Sequence, residues 1–322
     1  MESIIEVKNL TKNYGKLTAV DNISFSINSG EIFGFLGPNA AGKTTTINML
    51  TGMAKITGGK IFYKGNDITN KIKKFQPYIG VVPDDSNLYE ELTGFENLCF
   101  CASLYGILRS KREVKARQLL EIFQLSEAAN RRFKTYSKGM KRKLTIAASL
   151  VHEPKILFLD EPTTGIDVVS SRQIRNLIKK LNSDGTTIFL TTHYIEEAER
   201  LCSRIAFIKS GKIIKIDTVN RFIEDIKESN VVEVLFEPTH IDITLLEKLN
   251  SIFPDLECSF KNENTIKVIS KGRIDISPIV SFLSANNIYI LEAKLIRPTL
   301  EDAFVKLTGI EMDIMKKEKE KK

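Results

Sequence analysis

The apolar positions of this chain follow two rhythms, and their order predicts the architecture. Residues 4–10 (IIEVKNL) and 22–27 (NISFSI) alternate apolar and polar side chains, the period of a half-buried strand. EIFGFL, residues 31–36, is a continuous apolar run, as expected of a strand covered on both faces. KTTTINMLTGM (43–53) continues from it as a helix, and GKIFYKG (59–65) and IGVV (79–82) read as further strands. From about residue 93 to 151 the apolar spacing becomes three and four, as in ENLCFCASLYGIL and VKARQLLEIFQL, which predicts helices. ILFLD (156–160), TTIFLTT (186–192), RIAFIK (204–209) and KIIKID (212–217) return to strand and read as separated by helices. Such alternation predicts an α/β sheet with a helical insertion.

Beyond residue 220 the order of elements changes. VVEVLF is a strand, TLLEKLNSIF a helix, ECSF and TIKVIS a hairpin about KNEN, ISPIVSFLSANN a helix and IYILEAKLI a strand. This β-α-β-β-α-β order is the split βαβ, ferredoxin-like pattern of a small α+β domain. A last helix, TLEDAFVKLTG, ends at Gly309 as its C-cap. The expected domains are 1–220, with the helical insertion at about 85–155, then 221–310, then a charged tail, 311–322, expected to be disordered.

Charge sharpens that boundary. Residues 1–220 carry 32 basic and 22 acidic side chains, whereas residues 221–310 carry 10 and 14. No uninterrupted apolar run is long enough to span a bilayer, and MESIIEVKNL lacks the layout of a secretory signal. A membrane role therefore calls for a partner. Cys99, Cys101, Cys202 and Cys258 show neither C-x-x-C pairing nor neighbouring histidines, so they are expected to be reduced and buried rather than zinc ligands.

The chemistry concentrates at the end of the apolar run 31–36. GPNAAGKT, residues 37–44, fits G-x-x-x-x-G-K-[ST] and lies between a strand and a helix, where a phosphate cradle must lie. Backbone N–H groups of Gly37, Pro38, Asn39, Ala40, Ala41, Gly42 and the first helical turn through Thr45 (all but the proline carry one) form an anion nest. The helix N-terminus adds roughly half a positive charge. Lys43 is placed for the β- and γ-phosphates of ATP and the Thr44 hydroxyl for Mg²⁺. A second element follows at ILFLDE, residues 156–161, an apolar strand ending in two carboxylates that are costly to bury unless they bind something. Asp160 is placed to hold magnesium and Glu161 to orient or deprotonate the attacking water.

These residues resemble the ATP-binding-cassette (ABC) ATPases. YSKGMKRKLTIAASLVHEPKILFLDEPTTGID is similar to that family's signature loop, following helix and D-loop in unbroken order. The resemblance covers residues 4 to about 218 and implies a P-loop NTPase core with antiparallel β and helical subdomains. It implies that Tyr14 stacks on adenine and that His193 contacts the γ-phosphate. It implies that Ser137, Lys138, Gly139 and Met140, with Asp167, serve the nucleotide held by another copy. Ser137 is also a good helix N-cap, and the two roles are compatible. Function then requires a dimer of cassettes, of one chain or two, and a separate transmembrane permease. The C-terminal stretch resembles the doxorubicin- and polysaccharide-exporter branch, which implies export by a cytoplasmic subunit held at the inner membrane face.

The departures from that family are specific. Lys138 and Met140 replace a glycine and a glutamine of the signature, and Ala40 replaces a glycine of the cradle. Alanine keeps its N–H, so the cradle is expected to survive unless the backbone there needs φ > 0. Asp84, in IGVVPDDSNLYEELTGFENL, replaces the usual glutamine and is either a magnesium ligand or an acidic turn. The basic cluster Arg131, Arg132, Lys134, Lys141, Arg142 and Lys143 reads as a solvated face near ATP without interleaved aromatics, so no nucleic acid is expected. The alternative function is a soluble ABC-type ATPase acting on nucleic acid or ribosomes.

Overall fold

The computed structural model describes residues 2–226, 229–237 and 243–309. They form two compact units, one running to Val219 and joined by the chain from Leu307, the other Asn220–Lys306. The charged tail expected at 311–322 lies outside the described residues.

The first unit begins with β1 (Ser3–Tyr14), β2 (Leu17–Asn28), β3 (Ile32–Leu36) and α1 (Lys43–Leu50). β4 (Gly58–Tyr63), β5 (Asn66–Asp67) and β6 (Ile79–Val82) follow. Helices α2 (Gly94–Leu104), α3 (Arg109–Ile122) and α4 (Lys138–Ser149) form the insertion. β7 (Ile156–Asp160), α5 (Val168–Ser183), β8 (Thr187–Thr192), α6 (Ile195–Leu201), β9 (Arg204–Lys209) and β10 (Lys212–Thr218) complete it.

Two sheets result. β2-β1-β4-β5 is antiparallel, and β10-β9-β3-β8-β7-β6 is parallel from β9 to β6 with β10 antiparallel at its edge. Burial follows the sequence rhythm. Every residue of β3, β7 and β8 is buried, as expected of inner parallel strands, whereas β2 alternates. Between the sheets Phe25, Phe35 and Phe189 pack with ring centroids 5.1 to 6.1 Å apart, and Phe158 meets Phe189 at 5.6 Å. Tilted ring contacts of this kind add to simple area burial. The core is thus built directly beneath the strand ends that carry the chemistry.

The helical insertion starts sharply because Thr93 and Glu96 form a reciprocal capping box at α2. Ser137 caps α4 and Asp167 caps α5, each accepting from the backbone N–H three residues on.

The second unit contains β11 (Asn230–Phe236), α8 (Ile243–Ile252), β12 (Glu257–Asn262), β13 (Thr265–Ser270), α9 (Ile276–Ala285) and β14 (Ile290–Ile296), preceded by α7 (Val219–Ile226). Helix α10 (Leu300–Thr308) follows, and Gly309 after it is left-handed at φ 63°. The sheet order is β12-β13-β11-β14, antiparallel throughout, over a core of Val232, Val234, Phe236, Ile266, Val268 and Leu283.

Several expectations needed correction. β9 and β10 are not separated by a helix; they form a hairpin turned by Ser210 and Gly211, both at positive φ. The β12–β13 turn is tighter than KNEN, because Lys261 and Asn262 belong to the strand. Helix α7, which bridges residue 220, has no long apolar repeat to betray it. Cys99 and Cys101 are only half-buried, since they flank the exposed Phe100 at the two borders of the solvent face of α2; Cys202 and Cys258 are buried as expected, and all four thiols are free.

Phe189, fully buried among these rings, tests the core. Phe189→Ala is expected to cost about 3–5 kcal/mol by losing burial and leaving a cavity. Denaturant titration followed by circular dichroism measures it, and a loss below about 1 kcal/mol would contradict this packing.

Candidate functional site

The site follows from strand order. β3, β8 and β7 are neighbours running the same way, with Leu36 paired to Thr192 and Asp160 to Thr191. Their carboxyl ends therefore bring the glycine turn, His193 and the acidic pair Asp160–Glu161 to one edge, the usual place for a ligand in an open α/β sheet. A cavity of about 640 Å³ lies there. Tyr14, Asn39 to Thr45, Asp84, Glu161 and His193 line it, so the structure brings these sequence-predicted residues together.

The cradle keeps its shape through close backbone contacts. A Cβ at Gly37 would stand 2.2 Å from the Ile208 carbonyl oxygen, and one at Gly42 2.6 Å from that of Ala19. Gly42 is left-handed, at φ 101°, where α1 begins. Ala40 is left-handed as well, at φ 60°. The condition under which losing the family glycine matters is therefore met: the alanine holds a backbone conformation that costs an L-residue about 1–2 kcal/mol. Alanine still carries its N–H, and the residue lines the cavity.

Lys43 lies across the turn. Its Nζ donates to the Gly37 carbonyl at 2.8 Å and the Pro38 carbonyl at 3.0 Å, and stands 3.3 Å from Glu161 Oε1. Glu161 is buried and left-handed at φ 48°, its backbone N–H bonded to the Thr191 carbonyl at 3.1 Å. Its Oε2 accepts from Thr164 Oγ1 at 3.0 Å and lies 2.7 Å from His193 Nδ1. Burial alone pushes this carboxyl up. The His193 hydrogen bond, the Lys43 ammonium and the Thr164 hydroxyl outweigh burial and hold it below the usual carboxylate range. An ionised carboxylate only accepts, so His193 carries its hydrogen on Nδ1 and turns Nε2 away from Glu161.

The other predicted residues fall into two groups. Asp160 is 3% exposed, does not line the cavity, and accepts a short hydrogen bond from Thr191 Oγ1, one layer below Glu161. Ser137, Lys138, Gly139, Met140 and Asp167 also lie outside the cavity lining. Gly139 fits closely: a Cβ there would stand 2.4 Å from Ser170 Oγ in the first turn of α5.

The basic cluster is not one solvated face. Arg131, Arg132 and Lys134 are exposed, but Arg142 and Lys143 are 4% and 7% exposed, because α4 is covered on every side from residue 142 to 149. Phe133 and Tyr136 do interleave the cluster, yet both are buried in the helical core and offer no stacking surface.

Sequence reasoning missed a further acid. Glu197 on α6 is 3% exposed, its Oε1 accepts from Thr163 Oγ1 at 2.7 Å, and its Oε2 is buried without a hydrogen-bond partner. Burial raises its carboxyl above the usual range, and the Glu161 carboxylate adds to that against the Thr163 and Thr192 hydroxyls. In sequence it sits in IEEAER, indistinguishable from the solvated acids beside it.

The donor set suits a phosphate-bound divalent cation better than a protein-caged one. Thr44 and Asp84 face the cavity, and among the described residues no three His, Cys, Asp or Glu side chains converge as a metal cage. Mg²⁺ is commonly held in just this way, by one or two protein ligands together with phosphate and water.

The family model described as ABC transporter matches residues 20–164. The linearmycin resistance ATP-binding protein LnrL of Bacillus subtilis is 37% identical over 316 residues, covering 95% of this chain and 98% of that protein. The daunorubicin/doxorubicin resistance ATP-binding protein DrrA of Streptomyces peucetius is 35% identical, covering 95% and 92%. The Nod factor export ATP-binding protein I of Paraburkholderia xenovorans is 36% identical, covering 97% and 99%. Among solved structures, a dimeric ATP-binding cassette in a post-hydrolysis state bound to ADP and Pi superposes with TM-score 0.61 at 28% identity, covering 66% of this chain and 98% of that one.

Two stability measurements check this geometry. Ala40→Gly relieves a left-handed alanine while loosening the unfolded chain, so a net gain of about 0.5–1 kcal/mol is expected from denaturant titration. A loss would show that the turn is unstrained. Glu197 binds its proton more tightly folded than unfolded, so its contribution falls as pH rises above the unfolded carboxyl value. The melting temperature of Glu197→Gln should therefore gain on wild type between about pH 5 and pH 8. Parallel melting curves across that window would show that Glu197 titrates alike in both states.

Proposed function

This chain belongs to the ATP-binding proteins of the ABC transporter family, ATPases that couple hydrolysis to transport, and on that premise we propose that it is the nucleotide-binding subunit of an exporter. The observation that carries the chemistry is the meeting of Lys43, Glu161 and His193 in one cavity beside the glycine turn. Export is supported by the relatives' names, which describe drug resistance and Nod factor export over nearly the whole chain.

In this reading the cradle N–H groups and Lys43 bind the triphosphate of ATP, and Tyr14, 50% exposed on the cavity rim, stacks on the adenine. Thr44 and Asp84 on the cavity wall, with Asp160 behind them through water, would hold Mg²⁺, which would offset the phosphate charge. Glu161, kept ionised, orients the attacking water and accepts its proton. His193 holds that carboxylate through Nδ1 and directs its other ring nitrogen to the γ-phosphate. In-line attack then needs Lys43 to shift from Glu161 to the phosphates, an exchange of one anion for another.

The residues 137–140 and Asp167 serve a second copy of the cassette, from this gene or another. Their place outside the chain's own cavity supports that reading, as do the exposed side chains of Val168 and Val169 beside Asp167. A transmembrane permease supplies the path, with this subunit at the inner membrane face. Among the described residues no helix is long and apolar enough to cross a bilayer. The unit beyond residue 220 is a ferredoxin-like accessory domain that regulates or stabilises the dimer; its strand order and α8 and α9 crossovers support the assignment.

Glu161→Gln tests the assignment. It should retain ATP binding and form ATP-held dimers while turnover falls by about two orders of magnitude or more. Lys43→Ala should weaken binding itself. Near-normal turnover by Glu161→Gln, measured as phosphate release, would remove the glutamate from this role.

A further inference from the structure

Arg142 stands behind the site rather than in it. Its guanidinium, buried on α4, donates to four backbone carbonyls: Pro162 through Nε at 3.0 Å, Asp84 through Nη1 at 3.0 Å, Pro83 also through Nη1, and Asp160 through Nη2. These carbonyls lie on two separate segments. One leaves the end of β6 and carries Asp84; the other spans the end of β7 and carries Asp160 and Glu161. β6 and β7 are paired as far as Val82 and Leu159, and beyond those residues the ladder no longer holds the two segments together. The guanidinium takes over where the ladder stops.

A second bond on the same face of α4 strengthens the link. Thr145, three residues along, donates from Oγ1 to the Lys141 carbonyl at 2.8 Å and accepts from Ser86 Oγ at 3.0 Å. Arg142 is also surrounded by the charges it needs: burial pulls the guanidinium down from its ordinary value, and the Asp84, Asp160 and Glu161 carboxylates oppose that. Only a planar fork of N–H donors reaches carbonyls in several directions at once; a lysine ammonium offers its donors from a single point.

We propose that Arg142 is a positioning residue for hydrolysis, clamping the Asp84 segment and the Glu161 strand end to the helix that begins at Ser137. The inference rests on the reading that this cavity hydrolyses ATP. Helix α4 and the two segments then move as one body. A displacement at Ser137–Met140 reaches the place of the attacking water without passing through the cradle. Nucleotide binding, which depends on residues 37–45, is left aside from this link.

The full-length chain carrying Arg142→Lys tests the proposal against wild type. Phosphate release gives kcat and KM, calorimetry with ADP gives affinity, and hydrogen exchange reads the amides of 84–86 and 161–164. The expected result is a kcat lower by about tenfold or more, with KM and the ADP affinity within about threefold. Exchange at those amides should rise while that of β3 and β8 stays put. Unchanged kcat in a folded variant overturns the proposal. So does a parallel loss of kcat, ADP affinity and melting temperature, which marks a merely structural arginine. If Arg142→Lys does not fold, Ser86→Ala, which removes the parallel bond and leaves α4 itself unchanged, decides by the same criteria: kcat lower by about threefold or more at an unchanged melting temperature supports the clamp, and wild-type kcat overturns it. Wild-type protein that binds ADP yet releases no phosphate defeats the hydrolytic reading instead, and the exchange comparison alone then decides whether Arg142 holds the two segments.

Discussion

Two carboxylates end a strand whose every residue is buried, and much of the site follows from making that burial tolerable. An unpaired buried carboxylate is among the most costly arrangements in a fold. Here Asp160 takes the Thr191 hydroxyl, while Glu161 takes Lys43, His193 and the Thr164 hydroxyl. Each partner arrives from a different element: β8 and the residue after it, the start of α1, and the turn after β7. The acidic pair is therefore also the point at which those elements are held in register.

The same charges explain a tension in the cradle. Lys43 is bonded to two carbonyls of its own turn and paired with Glu161, so a phosphate must compete for it. A triphosphate brings more negative charge than one carboxylate, and the α1 N-terminus favours it further. Once the lysine turns to phosphate, Glu161 loses a cation that helps hold its carboxyl down and becomes a better proton acceptor. In the proposed reading, with Glu161 as the base, binding and activation of that base are coupled through a single side chain.

Much of this was legible in the sequence, and the reasons are physical. The glycine turn and the acidic strand end are contiguous, so spacing alone reveals them, and full burial of β3, β7 and β8 follows from their unbroken apolar runs. His193 lies far from Glu161 in sequence; family resemblance pointed to it, and β7–β8 pairing brings it to 2.7 Å. Ala40 shows the limit of that reading. Its identity was visible, but its φ was not, because a positive φ belongs to the closed turn, whose Gly37 and Gly42 pack against Ile208 and Ala19, rather than to any residue. Arg142, Lys143 and Glu197 were misread or missed for a related reason: charged residues in charged company look solvated until packing shows which stretches of a helix are covered.

That packing has a consequence for how the unit works. α4 turns Gly139 against Ser170 on α5 and Arg142 toward the carbonyls after β6 and β7, within little more than one helical turn. Both contacts are unforgiving: one leaves no room for a Cβ, the other satisfies several buried acceptors with one group. A helix held this way cannot slide along its own axis by a fraction of a turn without breaking both. Under the proposed clamp it moves as a rigid piece with the Asp84 and Glu161 segments, or it stays. The cradle, fixed instead by Ile208 and Ala19 on other strands, has no such tie to α4 among the contacts described. In the proposed reading, nucleotide affinity rests mainly on the cradle's own contacts and alignment for hydrolysis on those of α4, with the Lys43–Glu161 pair joining the two.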